Sequence, residues 1–508
     1  MGKVALVGLG KMGVGMASGL VAFVAGFSLL MAGESGATPT SDTSPSSADF
    51  FRRATMQDIE AAWRLLRDNH PGAAVELEDR AFQGSLASAL SVGRARAGHV
   101  TTLEGYLAVM SGFDSGLGDR HVRTVPTINI SRPDWVGLII GLRGMRWLVV
   151  DEEPWSGRAS LLGASLVGCD GRGADEIANE RLGQFRGAQN GAQKGLVAPW
   201  LLIDERNPFL MPLRQCTFDT GTKKVTIPMD WTPIMRDVII ARLLKAGGGG
   251  AAGYGVRRAG SGWWIAIQEF TGNAPAVVAE AREKEAEFPA APFVVVDVRG
   301  NGGGASAIGD ELARVLFGAQ AQSLLADEDR CPEAWRVSPG NRARLESYPA
   351  MLGARLTAAI NQKLQDDVTA LRSAAAAGRA FSRPIACPRV AASPSLSAQP
   401  AVATTPRIFI LTDRVCFSSC LIVVDHFRKL GAIQIGEATN ADTHYQENRR
   451  ELLPSGLAFF GVQEAVSVGE PLRVGPYVPR YEFSGDLTDT HTVEQWVFES
   501  MSGWLTAK

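Results

Sequence analysis

The feature that most constrains the fold of this chain is an apolar strand that runs directly into a glycine-rich turn. Residues 293–297 read Phe-Val-Val-Val-Asp, and residues 298–304 read Val-Arg-Gly-Asn-Gly-Gly-Gly. The uninterrupted apolar run predicts a buried strand within an αβ pattern. Glycines permit φ > 0 and expose amide N–H groups where a helix begins, which suits an oxyanion or a phosphate. The residues alone equally allow a tight turn without chemistry, and the Lys-Ser/Thr of a phosphate-binding loop is missing.

Length and charge narrow the class of protein. The chain has 508 residues, enough for two or more hydrophobic cores. Lys and Arg number 51 against 53 Asp and Glu, a net charge of −2, so nucleic acid is not expected as a partner. The 6 cysteines form no CxxC motif and no Cys/His cluster, so neither a structural metal nor another cofactor is predicted.

The N-terminal segment has the layout of an export signal. Residues 12–33 carry no charge, follow Lys3 and Lys11, and lead into a Ser/Thr/Pro-rich tract. We interpret residues 1–33 as a signal peptide or membrane anchor and 34–50 as a flexible linker, which predicts an exported, periplasmic or extracytoplasmic protein. The alternative is a dinucleotide-binding GxGxxG motif at Gly8, Gly10 and Gly13, but the further βαβ pattern that such a motif requires does not follow.

The rest of the chain divides by its pattern of apolar runs and turn residues. Thr55 and Asp58 form a capping pattern that predicts the start of a helix at Thr55. The predicted units are a helical region at 51–130, a β module at 134–190, the first part of an αβ core at 191–330, a helical cap insert at 331–387, and the second part of the core at 388–508.

The cysteines allow one disulfide prediction. Cys331 and Cys387 bracket the helical insert and could be bonded in an exported protein, although free buried cysteines are an equal alternative. Cys416 and Cys420 lie on one turn of a predicted helix, and we expect them to stay reduced.

A candidate nucleophile follows a second apolar strand. Residues 407–411 predict this strand, and Ser418 and Ser419 stand where the next helix begins. A serine at such a junction has the helix N-terminus beside it, as in the nucleophile elbows of hydrolases. The alternative is that either serine only caps the helix. Among the 6 histidines, His121 alone stands on a Gly/Asp turn, so it is the candidate base.

These segments, in this order, resemble the carboxyl-terminal processing (tail-specific) serine peptidase family, particularly its tricorn-like branch. GDRHVR at 118–123 is similar to the family's GDGHT segment, and VVVDVRGNGGG at 294–304 is similar to its DLRGNGGG segment. FSSC at 417–420, followed by LGAIQIGEAT at 430–439, resembles its SAxE helix and GExT strand. The resemblance runs from about Ala54 to Trp496.

The resemblance implies a fold and a set of site residues. The fold is an α/β, multidomain one: a spiral ββα-type peptidase core with a helical N-terminal region and an inserted PDZ-like module, here at 134–190. Ser418 falls on the family's nucleophile and His121 on the histidine of the tricorn-like branch. The oxyanion donors fall on the amides of Gly302 or Gly303 and of Ser419.

This chain departs from the family at two positions. The Ser/Lys members carry a lysine six residues after the glycine of the GExT strand, and here that position is Asp442. We therefore expect Asp442 to orient His121 in a Ser/His/Asp arrangement. Glu437 or Glu482 could serve instead, or Asp442 could be a solvated turn residue. The family's acidic residue after the nucleophile is also missing, since Cys420 and Leu421 stand there.

Together these features predict an exported serine endopeptidase of the carboxyl-terminal processing type. It would cleave peptides or unfolded protein tails through an acyl-enzyme on Ser418, with His121 as general base. The alternative from another class is a catalytically inactive peptide-binding protein on the same fold.

Overall fold

The computed structural model describes residues 47–154, 159–248, 252–328, 333–353, 358–386, 406–468 and 474–506. The predicted export segment, most of the predicted linker, and both Cys331 and Cys387 lie outside the described residues. Within the described ranges, no helix has both the length and the apolar character needed to cross a membrane.

Helices are distributed along the whole described chain. They are α1 (Ser47–Asn69), α2 (Arg80–Ala97), α3 (Leu103–Ser115), α4 (Ala174–Ala178), α5 (Gln184–Arg186), α6 (Gly191–Val197), α7 (Arg236–Gly247), α8 (Ala274–Glu283), α9 (Ser306–Phe317), α10 (Ala319–Glu328), α11 (Pro339–Leu352), α12 (Ala358–Ala376), α13 (Ser419–Lys429) and α14 (Thr490–Thr506).

Strands lie between these helices in four sheets. They are β1 (Thr124–Pro126), β2 (Asp134–Trp135), β3 (Leu138–Arg143), β4 (Arg146–Glu152), β5 (Ser165–Cys169), β6 (Arg172–Gly173), β7 (Ile203–Asp204), β8 (Gln215–Asp219), β9 (Lys224–Pro228), β10 (Thr232–Pro233), β11 (Tyr254–Ala259), β12 (Gly262–Ile267), β13 (Phe293–Asp297), β14 (Ala334–Trp335), β15 (Arg407–Thr412), β16 (Ile433–Gly436), β17 (Tyr445–Leu452), β18 (Ala458–Val466) and β19 (Tyr481–Glu482).

The sheet that carries the glycine-rich turn has the strand order β11-β12-β13-β15-β16-β19, and β12 to β19 are parallel. Every residue of β13 is buried, as the apolar run predicted. Helices α8, α9 and α13 cover one face, and α14 covers the other. In a parallel sheet the carboxyl ends of neighbouring strands meet at one edge. The turn after β13 and the serines after β15 therefore lie side by side.

The N-terminal helices form a second hydrophobic core with the sheet β1-β18-β14, to which β17 adds by pairing with β18. Helix α1 begins at Ser47, earlier than the capping pattern predicted and inside the predicted linker. Thr55 does not cap the helix, because its Oγ1 donates to the Phe51 carbonyl at 2.6 Å within the helix. Asp58 instead accepts a hydrogen bond from Tyr106 Oη at 2.8 Å, so the two residues of that pattern serve the interior of the helix and the core.

The β module has its own core and its own sheet, in the order β3-β4-β5-β8-β9. This sheet continues to Pro228, well beyond residue 190, because β8 pairs with β5 and β9 pairs with β8. Cys169 and Cys216 face each other across β5 and β8 and form a disulfide. Arg414, just after β15, donates from Nη1 to the carbonyl of Leu142 at 2.8 Å and so ties the module to the core sheet.

The segment predicted as a helical insert contains α11 and α12. Their apolar faces share a small core with Trp335 and with Ala465 of β18. Strand β14 also pairs with β18, so this segment attaches to the sheet of the N-terminal region.

Candidate active site

The turn after β13 is held by buried side chains of the DVRGN sequence. Arg299 donates to Asp297 from Nε at 2.9 Å and from Nη2 at 2.6 Å, with both side chains fully buried. The Gly300 amide donates to Asp413 Oδ2 at 2.8 Å, and Asn301 Nδ2 donates to the Ile267 carbonyl at 3.0 Å. These bonds join the ends of three neighbouring strands, and they hold the glycines that follow in place.

Two glycines of this turn bring it against the candidate nucleophile. Gly303 and Gly304 have φ values of 111° and 128°, a backbone region that residues with a Cβ rarely adopt. A Cβ at Gly303 would lie 2.9 Å from Ser418 Cβ and 3.0 Å from the Phe417 carbonyl oxygen. The close approach of the turn to Ser418 therefore requires glycine at position 303. A tight turn without this neighbour would not require it.

Ser418 occupies the junction between the loop after β15 and helix α13. Its backbone has φ 57° and ψ −128°, a sparsely populated conformation for a residue other than glycine. Its hydroxyl makes no capping hydrogen bond to the helix and lies 3.1 Å from His121 Nε2. The alternative that Ser418 is only a helix cap is therefore wrong.

Three amides were candidates for binding an oxyanion, and their hydrogen bonds differ. The Gly303 amide donates to Asn301 Oδ1 at 2.9 Å, so it is already used within the turn. Within the described part of the chain, the amides of Gly302 and Ser419 have no acceptor. The Ser419 hydroxyl donates to the Gly304 carbonyl at 2.6 Å, so the amide is the donor of Ser419 that remains available. The available pair is thus Gly302 and Ser419.

His121 follows α3 on a turn and is held at its backbone as well as its ring. Its amide donates to Asp119 Oδ1 at 2.9 Å, and its carbonyl accepts from Asn448 Nδ2 at 3.1 Å. Its ring stacks on Phe417, with 4.8 Å between the ring centroids. Nδ1 lies 3.3 Å from Asp442 Oδ1 and 3.8 Å from Asp119 Oδ1, so two carboxylates face the nitrogen opposite Ser418.

Asp442 is held at the edge of this site by its backbone. Its amide donates to the Val474 carbonyl at 2.7 Å, and its Oδ1 accepts the Thr443 amide at 2.7 Å. The alternative residues do not approach His121. Glu437 forms a bidentate pair with Arg414, and Glu482 lies exposed on the edge strand β19. With its side chain only 9% exposed, Asp442 is not a solvated turn residue.

Asp119, His70 and Gln463 belong to the site although the sequence did not single them out as functional. His70 Nε2 lies 3.1 Å from Asp119 Oδ2, and the Gly72 amide donates to His70 Nδ1 at 3.1 Å. Gln463 Nε2 donates to Asp119 at 3.2 Å and lies 3.3 Å from His121 Nδ1. Asp119 stands two residues before His121 on a turn, a spacing typical of a carboxylate that accepts a nearby amide. That spacing was the only local signal for it.

The electrostatic balance favours a protonated imidazole. Burial lowers the pKa of His121, but the charge and hydrogen bond of Asp442 and the charge of Asp119 outweigh it, so the pKa is raised above its usual value. Burial raises the pKa of Asp119, yet the hydrogen bond from His70, the charge of a protonated His121 and the hydrogen bond from the His121 amide hold that pKa below its usual value.

The same three groups have the spacing of a possible metal site. Asp119, His121 and Asp442 each offer one ligand atom, and these atoms lie within 4.8 Å of one another. However, Asp119 already accepts from the His121 amide, and Asp442 already accepts from the Thr443 amide. The groups therefore fit a hydrogen-bond network around a histidine better than a metal site. The expectation of no metal or cofactor remains a prediction.

The residues on either side of Ser418 correct one expectation. Cys416 and Cys420 form a disulfide, with 5.4 Å between their Cα atoms. The prediction that they stay reduced is therefore wrong. Cys416 precedes the helix, where the chain bends sharply at Ser418 and brings the two Cα atoms within the usual range for a disulfide. The prediction of reduced cysteines places both residues on one regular helix turn, whereas helix α13 begins only at Ser419.

Comparison with known proteins supports a peptidase. Residues 264–460 match the model of Peptidase family S41. The structure is similar to that of mature CPAF, with a TM-score of 0.59 and 12% sequence identity over 90% of this chain and 98% of that chain. Mature CPAF complexed with lactacystin matches with a TM-score of 0.56 and 12% identity, over 89% of this chain and 99% of that chain. No curated protein sequence matches this chain.

The similar structures share an α/β multidomain architecture with this chain, which confirms the predicted fold class. The match to a peptidase family indicates the class of hydrolases. More particularly, the chain contains a Peptidase family S41 domain that spans both the glycine-rich turn and Ser418. The family resemblance inferred from the three sequence segments is thereby confirmed. These findings support a serine protease.

Proposed function

We propose that this protein is a serine endopeptidase of the carboxyl-terminal processing type, with Ser418 as nucleophile and His121 as general base. One observation carries the proposal: the Ser418 hydroxyl lies 3.1 Å from His121 Nε2 while its backbone is held at φ 57°. A hydroxyl within hydrogen-bond reach of an imidazole, on a sharp strand-to-helix junction, is the arrangement of an activated serine.

The first step follows from the protonation state of His121. With two carboxylates facing Nδ1, the neutral ring carries its proton on Nδ1, and Nε2 is free to accept. Nε2 takes the proton of Ser418 as Oγ attacks the carbonyl carbon of the scissile peptide bond. The resulting imidazolium is stabilised by Asp442, in the role that the aspartate has in other triads.

The developing oxyanion needs two donors. The amides of Gly302 and Ser419 supply them, since the Gly303 amide is used by Asn301. His121 then gives its proton to the leaving amine, and the acyl group stays on Ser418 Oγ. Water, deprotonated by the same Nε2, attacks the ester and releases the acid product, which restores Ser418.

Peptides or unfolded protein tails are the proposed substrates. The β module is attached beside the nucleophile loop through Arg414 and Leu142, where a PDZ-like module could present the end of a chain to Ser418. The fold is shared with mature CPAF, a protein whose structure has also been solved in complex with lactacystin.

Export is the proposed location. The uncharged N-terminal segment suggests it, and so do the bonds Cys169–Cys216 and Cys416–Cys420, because disulfides persist mainly in oxidising compartments. Mass spectrometry of the N-terminus of the secreted protein would test it.

Covalent labelling tests the proposed chemistry directly. A fluorophosphonate should label the wild type on Ser418, and Ser418→Ala should abolish labelling. Ser419→Ala is the matched control and should keep most of it, since only the backbone amide of Ser419 is assigned a role. Equal labelling of the wild type and Ser418→Ala would sink the assignment. No labelling of a folded wild type would instead favour the inactive peptide-binding alternative.

A further inference from the structure

Arg120 lies beside both proposed catalytic residues and has no part in the mechanism above. It directly precedes His121, and its Cζ lies 4.8 Å from the centroid of the Phe417 ring. Phe417 in turn precedes Ser418 and stacks on the ring of His121. The guanidinium therefore packs against the ring of the residue that precedes the nucleophile.

One guanidinium nitrogen of Arg120, Nη1, is buried without a hydrogen-bond partner among the described residues. Burial lowers the pKa of Arg120 to about 10 against the opposing charge of Asp442, so the group is still protonated at neutral pH. A buried, charged donor without a partner is costly to a folded protein. An unpaired, charged donor one residue from the proposed base indicates a missing ligand.

Other arginines of the chain show that this situation is unusual. Arg299 and Arg414, which also border the turn and the loop of the site, are both held by carboxylates. Arg236, Arg336 and Arg344 each have one unpaired buried nitrogen as well. However, another nitrogen of each has a partner: Glu205 for Arg236 at 3.4 Å, the Ala380 carbonyl for Arg336 at 3.3 Å and Met351 Sδ for Arg344 at 2.7 Å. Arg120 interacts with Asp442 only through its charge and with Phe417 only through the ring.

The surroundings favour an anion over a cation. Burial and the like charges of Arg450 and Arg120 lower the pKa of Arg123 to about 10, against the opposing charge of Asp114, so Arg123 is a second guanidinium that stays charged near Arg120. Thr443 Oγ1, adjacent in the chain to Asp442, is a second buried polar atom without a hydrogen-bond partner in the described structure. A planar guanidinium and a hydroxyl are suitable donors for a carboxylate, which arginine binds in a bidentate manner.

We infer that Arg120 is a specificity-determining residue that binds a carboxylate of the substrate next to the scissile bond. The inference rests on the proposed function and names the substrate class of the same site. The carboxylate has two possible sources in a peptide: the free C-terminus or the side chain of an aspartate or glutamate. Both present the same group to the guanidinium.

Matched substrates separate these two sources. Digestion of casein, followed by mass spectrometry, gives a cleaved sequence from which internally quenched peptides are made. One pair differs only in a C-terminal carboxylate or carboxamide, and a second pair only in Asp or Asn beside the scissile bond. The wild type should favour the acid member of one pair in kcat/KM by about tenfold or more, the size expected for a charge-assisted hydrogen bond. The pair that shows the preference identifies the source.

Variants at Arg120 then test the residue. Arg120→Gln should remove the preference for the acid, and Arg120→Lys, which keeps the charge without the fork of donors, should retain part of it. Arg258→Gln is the matched control, because Arg258 also stacks on an aromatic ring, Trp263 at 4.1 Å, but is exposed and paired with Glu287. If Arg120→Gln does not fold, as judged by circular dichroism, the comparison is made with Arg120→Lys.

The outcomes are distinguishable from failure of the proposed function. Equal kcat/KM for acid and amide in an enzyme that is labelled by fluorophosphonate overturns the inference alone, as does an equal loss for both members in Arg120→Gln. If the wild type neither labels nor cleaves, the proposed function fails. Tryptic peptides of casein, which need no cleavage by this protein, are then made as C-terminal acid and carboxamide and as Asp and Asn versions. Fluorescence anisotropy of these pairs on Ser418→Ala decides whether Arg120 binds the carboxylate. Equal dissociation constants for acid and amide would overturn it there too.

Discussion

His70 Nε2 lies 3.1 Å from Asp119 Oδ2, and both side chains are fully buried. Because the Gly72 amide donates to His70 Nδ1, the proton of the neutral His70 ring is on Nε2 and points at the carboxylate. The other oxygen of Asp119 accepts the amide of His121. A histidine outside the reaction thus positions the loop of the proposed base through one shared carboxylate.

Substitution of Asp119 should weaken both stability and activity. Asp119→Asn replaces one acceptor oxygen with an NH2 group, so either His70 Nε2 or the His121 amide loses its acceptor. We expect the free energy of unfolding to fall by about 2–4 kcal/mol and kcat/KM to fall by about tenfold to a hundredfold. Urea denaturation and steady-state kinetics measure these losses. Asp68→Asn, at an exposed surface pair with Arg67, is the control and should change neither.

The pH dependence of the Asp119 effect has a definite sign. Because the folded-state pKa of Asp119 is lowered, its contribution to stability is present above the unfolded pKa of about 3.9 and is lost as the pH falls through the folded value. The difference between wild type and Asp119→Asn should therefore persist at neutral pH and shrink in acid. A difference that grows in acid would contradict this role.

Removal of Asp442 should change both the rate and the pH profile. The wild-type kcat/KM should rise with pH through a value above 6.5, the usual histidine pKa, because the base must be neutral and its pKa is raised. Asp442→Asn removes the largest opposing charge and leaves burial, so the apparent pKa should fall while kcat drops by about 10²–10⁴. An unchanged profile with near-normal kcat would remove Asp442 from the site.

The raised pKa of His121 also determines the pH range in which the His121–Asp442 pair stabilises the fold. Its raised folded value means that the charged His121–Asp442 pair stabilises the protein below the unfolded pKa of about 6.5. This stabilisation is lost as the pH rises through the folded pKa. Thermal melts of wild type and Asp442→Asn between about pH 5 and 9 should converge at the alkaline end.

The close approach of the glycine turn predicts a severe effect of one added methyl group. Gly303→Ala should lower kcat/KM by about a hundredfold or more, because its Cβ would displace Ser418 from His121. Gly431→Ala is the matched control, since Gly431 also has a positive φ, 93°, but would meet nothing within 4 Å. It should cost stability without comparable loss of activity. Kinetics and melting temperatures of both variants check this.

Thiol counting tests the disulfides. Of 6 cysteines, four are bonded as Cys169–Cys216 and Cys416–Cys420, so denatured, unreduced protein should expose at most 6 − 4 = 2 thiols. It should expose none if the predicted Cys331–Cys387 bond also forms. Four or more thiols would contradict the structure.

The bond beside the nucleophile should matter for activity more than for stability. Its closed loop is short, so its entropic contribution is only about 2 kcal/mol. It brackets Ser418, however, and an unusual backbone conformation persists only where its surroundings hold it. The double variant Cys416→Ala/Cys420→Ala should still fold, but fluorophosphonate should label it more slowly than the wild type. Cys169→Ala/Cys216→Ala, in the β module, is the control and should label at the wild-type rate.

The sequence predicted what is encoded locally. The apolar runs predicted the strands that became β13 and β15. The family resemblance led from the candidate motifs to Ser418, His121 and Asp442, which the fold brings together. It did not predict the Asp119–His70 bond, because those residues are 49 positions apart and are joined only by tertiary packing. The Cys416–Cys420 bond depends on the bend at Ser418, which has no signature of its own. The extent of the β module depends on strand pairing between β5 and β8, which are distant in the chain.

The long strand β18 has a consequence for when the protein can become active. The Gly461 amide donates to the Arg123 carbonyl at 2.9 Å, and Asn448 on β17 holds the His121 carbonyl, so residues made after Ser418 fix the loop of the base. During synthesis, a chain that already contains both Ser418 and His121 still lacks the hairpin that aligns them. We expect a chain without this hairpin to stay unreactive, because its base is not aligned with its nucleophile. A released chain that ends at residue 444 keeps Ser418, His121 and Asp442 but lacks β17 and β18. It should resist fluorophosphonate, and labelling of that chain would show that the hairpin is dispensable.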